Sequence, residues 1–174
     1  IRVTEVNLGL TNPTLDNYIA ALTHGNFLRW FGNSLILSLS TMAITVLVCT
    51  LAAYSLARLR NRFTIVVGRF FLLAYIVPSV MIIVPLFVLI TNLGLQNSYQ
   101  GLILTYTSVA GPFGTWMLRA YFAGLPVELE DAALVDGCSR LGALWRIVFP
   151  LAAPGIVTVA LFAFVLSWND VLFS

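Results

Sequence analysis

Four of the seven carboxylates in this chain, Glu128, Glu130, Asp131 and Asp136, fall in one short stretch, and Gly137 follows directly. The chemistry open to them is recognition: a helix presenting Glu130, Asp131 and Asp136 can accept charge-assisted hydrogen bonds from basic or polar groups of a partner, while Ala132 and Ala133 let that partner approach the backbone. Metal chemistry is not expected. One histidine, His24, and two separated cysteines, Cys49 and Cys138, assemble no ligand cluster, and their contexts make a disulfide improbable. All nine cations are Arg, and without Lys a phosphate-cradling P-loop cannot form. No catalytic residue, metal or cofactor is therefore assigned to this chain.

The acids need an element to hold them. Pro126 suits a first helical position, and Glu128, Glu130 and Asp131 then occupy the first turns, where carboxylates complement the positive end of the helix dipole. Gly137 can take the left-handed conformation that ends such a helix, or permit close approach of another chain. The pattern predicts a short helix, a glycine break and a second helix over 122–146, lying on a surface and shaped to dock.

The rest of the chain places that surface at a membrane. Of 174 residues, 60% are hydrophobic and only 9% charged, which argues against a soluble enzyme, and a net charge of +2 does not suggest nucleic acid. No charged residue or histidine occurs over 30–57, 70–118 or 147–169, and about 20 apolar residues cross a hydrocarbon core. Spans are expected at 33–57, 66–91, 101–121 and 147–174, after an external segment at 1–30. The first mixes in Ser34, Ser38, Ser40, Thr41, Thr45 and Thr50, as a helix packed in a bundle would. The second carries Pro78 and Pro85 and should kink; the third is expected to be interrupted at Gly111-Pro112-Phe113-Gly114. Arg58, Arg60, Arg62, Arg69, Arg119, Arg140 and Arg146 fall on one side, and only Arg2 and Arg29 on the other. The positive-inside rule puts the larger group in the cytoplasm. An outside start without a signal peptide predicts an earlier crossing before Ile1, and the apolar end at Ser174 predicts further sequence there.

The loop resembles the cytoplasmic "EAA" loop of binding-protein-dependent ABC importer permeases: Glu-Ala-Ala, three residues, Gly, nine residues, then Ile-x-Leu-Pro. Here Asp131-Ala132-Ala133, Gly137, Ile147, Phe149 and Pro150 stand in register, with Asp for Glu and Phe for Leu. The likeness extends to Asn33-Ser34, to the stretch from Ala52 through Arg58, to Pro78 and Pro85, and to Trp168-Asn169-Asp170, so it covers nearly the whole chain. It is similar to the sugar-importer branch, and within it to the smaller maltose-type permease subunit.

That resemblance implies an all-α membrane protein, a helical bundle of the type I ABC importer permease fold. Four of its six transmembrane helices would be present. It also implies a second permease subunit, two ATPase subunits that bind ATP and magnesium, an external solute-binding protein, and a multi-pass place in a prokaryotic cytoplasmic membrane. Residues Glu130, Asp131, Ala132, Ala133, Asp136, Gly137, Ile147 and Pro150 would couple to the ATPase. A sugar or oligosaccharide is the expected solute, with glycerol phosphate or another polar solute as the alternative. A secondary transporter would place its information in intramembrane ionisable residues, and these helices hold almost none.

Other residues have two readings. Arg58, Arg60 and Arg62 serve better as topology anchors and lipid-headgroup partners than as a binding patch. Pro78 is either a packing kink or part of the path. Trp168, Asn169 and Asp170 are candidates for the substrate path, because an acid deep in the membrane must face protein or water; a helix-packing hydrogen bond explains Asp170 equally well.

Overall fold

A computed structural model describes residues 26–59 and 62–169, and all the regular structure among them is helical. The chain divides into two compact units, 1–34 and 35–174. In the first, the described residues are the opening turns of helix α1, where the rings of Phe27 and Phe31 stack at 6.1 Å. His24, Arg60 and Asp170 lie outside the described residues.

Helix α1 (Phe27–Arg58) contains no proline, and at about 1.5 Å per residue its 32 residues exceed the thickness of a hydrocarbon core. Among the described residues it alone is long and apolar enough to cross a membrane unaided. Four of its hydroxyl residues, Ser38, Thr41, Thr45 and Thr50, are buried, while Ser34 and Ser40 are half-buried. Ser38, Thr41 and Thr45 recur at helical spacing with Cys49 and Ala53, and all five are fully buried. On the opposite side Leu39, Ile44, Leu47, Val48 and Leu51 are exposed.

The stretch 66–91, expected as one kinked span, holds two helices. These are α2 (Arg62–Ile76) and α3 (Ser79–Asn92), turned by 113° about the break between them. Pro78 causes it: its backbone is extended (φ −57°, ψ 131°), and a proline also drives the residue before it out of the helical region. Pro85, by contrast, sits inside α3.

Helix α4 (Tyr99–Gly124) opens at Ser98, whose Oγ accepts from the Gly101 amide at 3.1 Å. The predicted interruption at 111–114 does not occur, for α4 runs straight through Pro112. Neighbours hold it in place. A β-carbon at Gly114 would lie 2.9 Å from Cys49 Sγ on α1 and 2.9 Å from Val159 Cγ1 on the last helix, so α4 is clamped on two sides. The same approach lets Cys49 Sγ donate to the Gly111 carbonyl at 3.5 Å and Thr45 Oγ1 to Thr107 Oγ1 at 3.3 Å.

Two short elements follow: α5 (Glu128–Val135) and α6 (Arg140–Leu151), the latter containing a π-helical turn at Leu144–Val148. Helix α7 (Ala153–Asn169) then leaves at 83° to α6. Residues 147–151 of the last expected span belong to α6, so that stretch, like 66–91, is bent at a break. Prolines 150 and 154 bracket the elbow, and Pro154 lacks the amide that would bond the Pro150 carbonyl across it.

The core gathers where these elements converge: Cys49, Ala53 and Tyr54 of α1, Leu118 and Phe122 of α4, Leu144 and Val148 of the π turn, Ala152, and Ile156 and Val159 of α7. The rings of Tyr54 and Phe122 meet edge to face at 6.5 Å. This cluster lies directly behind the acidic helix α5.

Candidate functional site

Helix α5 begins at Glu128, two residues after Pro126, and carries Glu128, Glu130 and Asp131 in its first turn. Its far end is fixed by Gly137, whose φ of +85° lies in the left-handed region. Around it the Gly137 amide donates to the Leu134 carbonyl at 3.1 Å and the Cys138 amide to the Ala133 carbonyl at 2.9 Å. This pair of bonds is the Schellman helix stop. Nothing lies within 4 Å of a β-carbon built on Gly137, so the demand for glycine comes from backbone conformation and not from crowding. Ser139 then caps α6, its Oγ accepting from the Gly142 amide at 3.1 Å. The helix, glycine break and second helix expected from the sequence are all present.

The two faces of α5 differ. Inward, Ala133 is buried and Glu130 is only 5% exposed. The Glu130 carboxylate is fully engaged: Arg58 Nε donates to Oε1 at 2.6 Å and the Tyr54 hydroxyl to Oε2 at 2.9 Å. Arg58 also donates from Nη2 to the Leu125 carbonyl at 3.2 Å, and the Tyr54 hydroxyl lies 3.4 Å from the Arg140 carbonyl. Both partners come from the last turn of α1, and together they clasp the ends of α4, α5 and α6.

Outward, Glu128, Asp131 and Asp136 are exposed beside Leu129, Ala132 and Val135, the last at 87%. Leu129, Ala132 and Val135 recur every three residues, a narrow apolar strip flanked by acids.

These placements correct the expectation that Glu130 is presented with Asp131 and Asp136. Its carboxylate is turned into the protein, because a buried acid requires the cation and hydroxyl that Arg58 and Tyr54 supply. Ala133 likewise faces the body of the protein. Asp131, Ala132, Asp136 and Gly137 lie on the outer side. Ile147 is half-buried in the π turn and Pro150 is exposed in the closing turn of α6, so both belong to the elbow behind the loop. Arg58, read as a topology anchor, is the ion-pair partner of a loop residue. The legible signal was an i, i+4 pair, Tyr54 and Arg58, ending an otherwise apolar helix.

The described residues read as candidates for a substrate path stand on two elements. Pro78 is exposed at the break between α2 and α3. Trp168 stacks on Phe164 at 5.5 Å, and Asn169 Nδ2 donates to the Val165 carbonyl at 3.1 Å, both within α7.

No group of three or more histidine, cysteine or acidic side chains able to hold a metal occurs among the described residues.

Comparison with known proteins identifies a family. Residues 46–174 match the family described as binding-protein-dependent transport system inner membrane component. The sulfoquinovosyl glycerol transport system permease protein of Agrobacterium fabrum is 40% identical over 160 residues, 92% of this chain and 56% of that protein. The trehalose/maltose transport system permease protein of Thermococcus litoralis is 33% identical over 163 residues, 92% of this chain and 59% of its own length. A solved bacterial ABC transporter involved in import of the acidic polysaccharide alginate superposes with a TM-score of 0.80 at 25% identity, over 88% of this chain and 53% of that one. The chain thus spans little more than half the length of these relatives. With helical structure throughout the described residues, a helix-glycine-helix loop and a family match over residues 46–174, the chain belongs to the binding-protein-dependent transport system inner membrane components.

Proposed function

We propose that this chain is a permease subunit of an ATP-driven importer, forming part of a solute path across a prokaryotic cytoplasmic membrane. Its solute is a sugar or oligosaccharide, the class named for the relatives at 40% and 33% identity. It has no nucleotide site of its own. ATP and magnesium belong to two cytoplasmic ATPase subunits, and a second permease subunit and an external solute-binding protein complete the assembly.

The observation that carries this reading is the outer face of α5. An apolar strip of Leu129, Ala132 and Val135 flanked by Glu128, Asp131 and Asp136 fits a partner groove with an apolar floor and basic or polar walls. The ATPase would seat on this face, and its ATP-driven closure would move α5 and with it the membrane helices.

Cysteine crosslinking in the assembled complex tests it. Ala132→Cys or Val135→Cys should crosslink to the ATPase, whereas a cysteine at the buried Ala133 should not. Equal labelling of position 135 by a water-soluble maleimide with and without the ATPase would overturn the docking role. For the solute, a panel of mono- and oligosaccharides, with glycerol phosphate as a control, should stimulate ATP hydrolysis by the reconstituted transporter only through sugars. Stimulation by glycerol phosphate alone would overturn the assignment.

A further inference from the structure

Helix α5 has only eight residues, and helices that short do not hold themselves in place in water. Its position is set by its inner face, and there the polar attachment is the clasp of Glu130 to Arg58 and Tyr54. The ion pair is nearly dry, its two side chains 9% and 7% exposed. Well-packed apolar residues serve a buried site at least as well for stability alone, so stability does not explain why ions are used here. What a directional, charge-assisted bond supplies is a fixed geometry: Arg58 holds both the α5 carboxylate and the Leu125 carbonyl at the end of α4.

The helix on the other end of this clasp matters. Displacement of α5 can reach the membrane helices by several routes, but α6 and α7 meet at an 83° elbow and α2 and α3 at a 113° break. Helix α4 carries an interior proline. Helix α1 is one continuous helix without proline, and Arg58 is its last residue. A push or pull delivered at Arg58 therefore acts at the end of a continuous helix.

We infer that Glu130, Arg58 and Tyr54 are positioning residues that lock the docking helix α5 to α1, so that the two move as one body when the ATPase closes. This rests on α5 being the docking helix. Glu130 then does no docking itself; it transmits what Asp131 and its neighbours receive.

The test measures the separation between α5 and α1 directly. Spin labels are placed at Val127, exposed at the entry to α5 and outside its outer strip, and at the exposed Leu51, with Cys138 replaced by Ser, in the full-length permease assembled with its ATPase. Distances are read without nucleotide and after trapping with ATP and vanadate. The wild-type distribution should be single and unchanged by trapping. In Glu130→Gln the ATPase should still co-purify, but trapping should add a second, displaced population, because α5 follows the ATPase while α1 lags. Tyr54→Phe removes one hydroxyl and no charge, so it keeps the question answerable if the charge variants misfold; it should show a minor second population. A wild-type distance that changes on trapping would overturn the inference, as would Glu130→Gln behaving as wild type, or Glu130→Gln releasing the ATPase. Failure of the wild-type complex to retain its ATPase through α5 would instead overturn the docking assignment beneath it.

Discussion

Gly155 of α7 rests against the ring of Tyr121 on α4, so closely that a β-carbon there would lie 2.7 Å from the ring. Gly155 is buried and Tyr121 is partly exposed, so the ring is a lid over the start of α7. Gly155→Ala must displace the ring, and overpacking of this kind costs about 1–3 kcal/mol. Thermal unfolding of the purified permease should register that loss, and Tyr121→Ala in the same chain should recover part of it. An unchanged midpoint in Gly155→Ala would show that the ring yields freely.

At Gly137 the backbone is left-handed and the space beside it is open, so tolerance should follow conformation and not size. The order expected is Gly best, then Asn, then Ala, with Val worst, since a β-carbon in this region costs roughly 1–2 kcal/mol per residue and Asn bears it best. Retention of the ATPase at the membrane should fall in that order. Retention that instead followed side-chain volume, with Ala above Asn, would point to a steric limit set by a partner.

The carboxylates of α5 should separate by face. Asp131→Lys reverses a charge on the exposed side and should release the ATPase while leaving the helices inserted. Glu130→Lys places a second cation beside Arg58 in a site only 5% exposed, and such changes cost about 3–5 kcal/mol by leaving buried charge unpaired. It should therefore lower the yield of folded permease. Gel filtration in detergent together with ATPase co-purification distinguishes the two outcomes.

Loop sidedness should follow the Arg distribution. A cysteine at Asn97, exposed in the turn between α3 and α4, should label from outside intact cells, and one at Arg60 only after permeabilisation. The opposite pattern would invert the topology.

Some of this architecture is legible in the residues alone. An uncharged run ending in arginines specifies α1, and Pro126, the acids and Gly137 punctuate α5, because those signals act within a few residues of where they stand. Other features depend on what lies across the bundle. Helix α4 passes through Gly111-Pro112-Phe113-Gly114 intact because Cys49 and Val159 close on Gly114, and local propensity is overridden by that packing. Glu130 reads as a surface acid within its loop; the arginine that draws it inward is 72 residues earlier. The elbow at Ala152 was hidden in a similar way, since residues 147–151 are as apolar as the span they were assigned to.

Because Arg58, Tyr54 and the Gly137 stop already fix both ends of α5, its shape does not depend on a partner. The conformational entropy of ordering that segment is incurred when the permease folds, and an incoming protein has only side chains left to immobilise. Association at this surface should accordingly lose little affinity to ordering, its strength being set by the few residues of the outer strip.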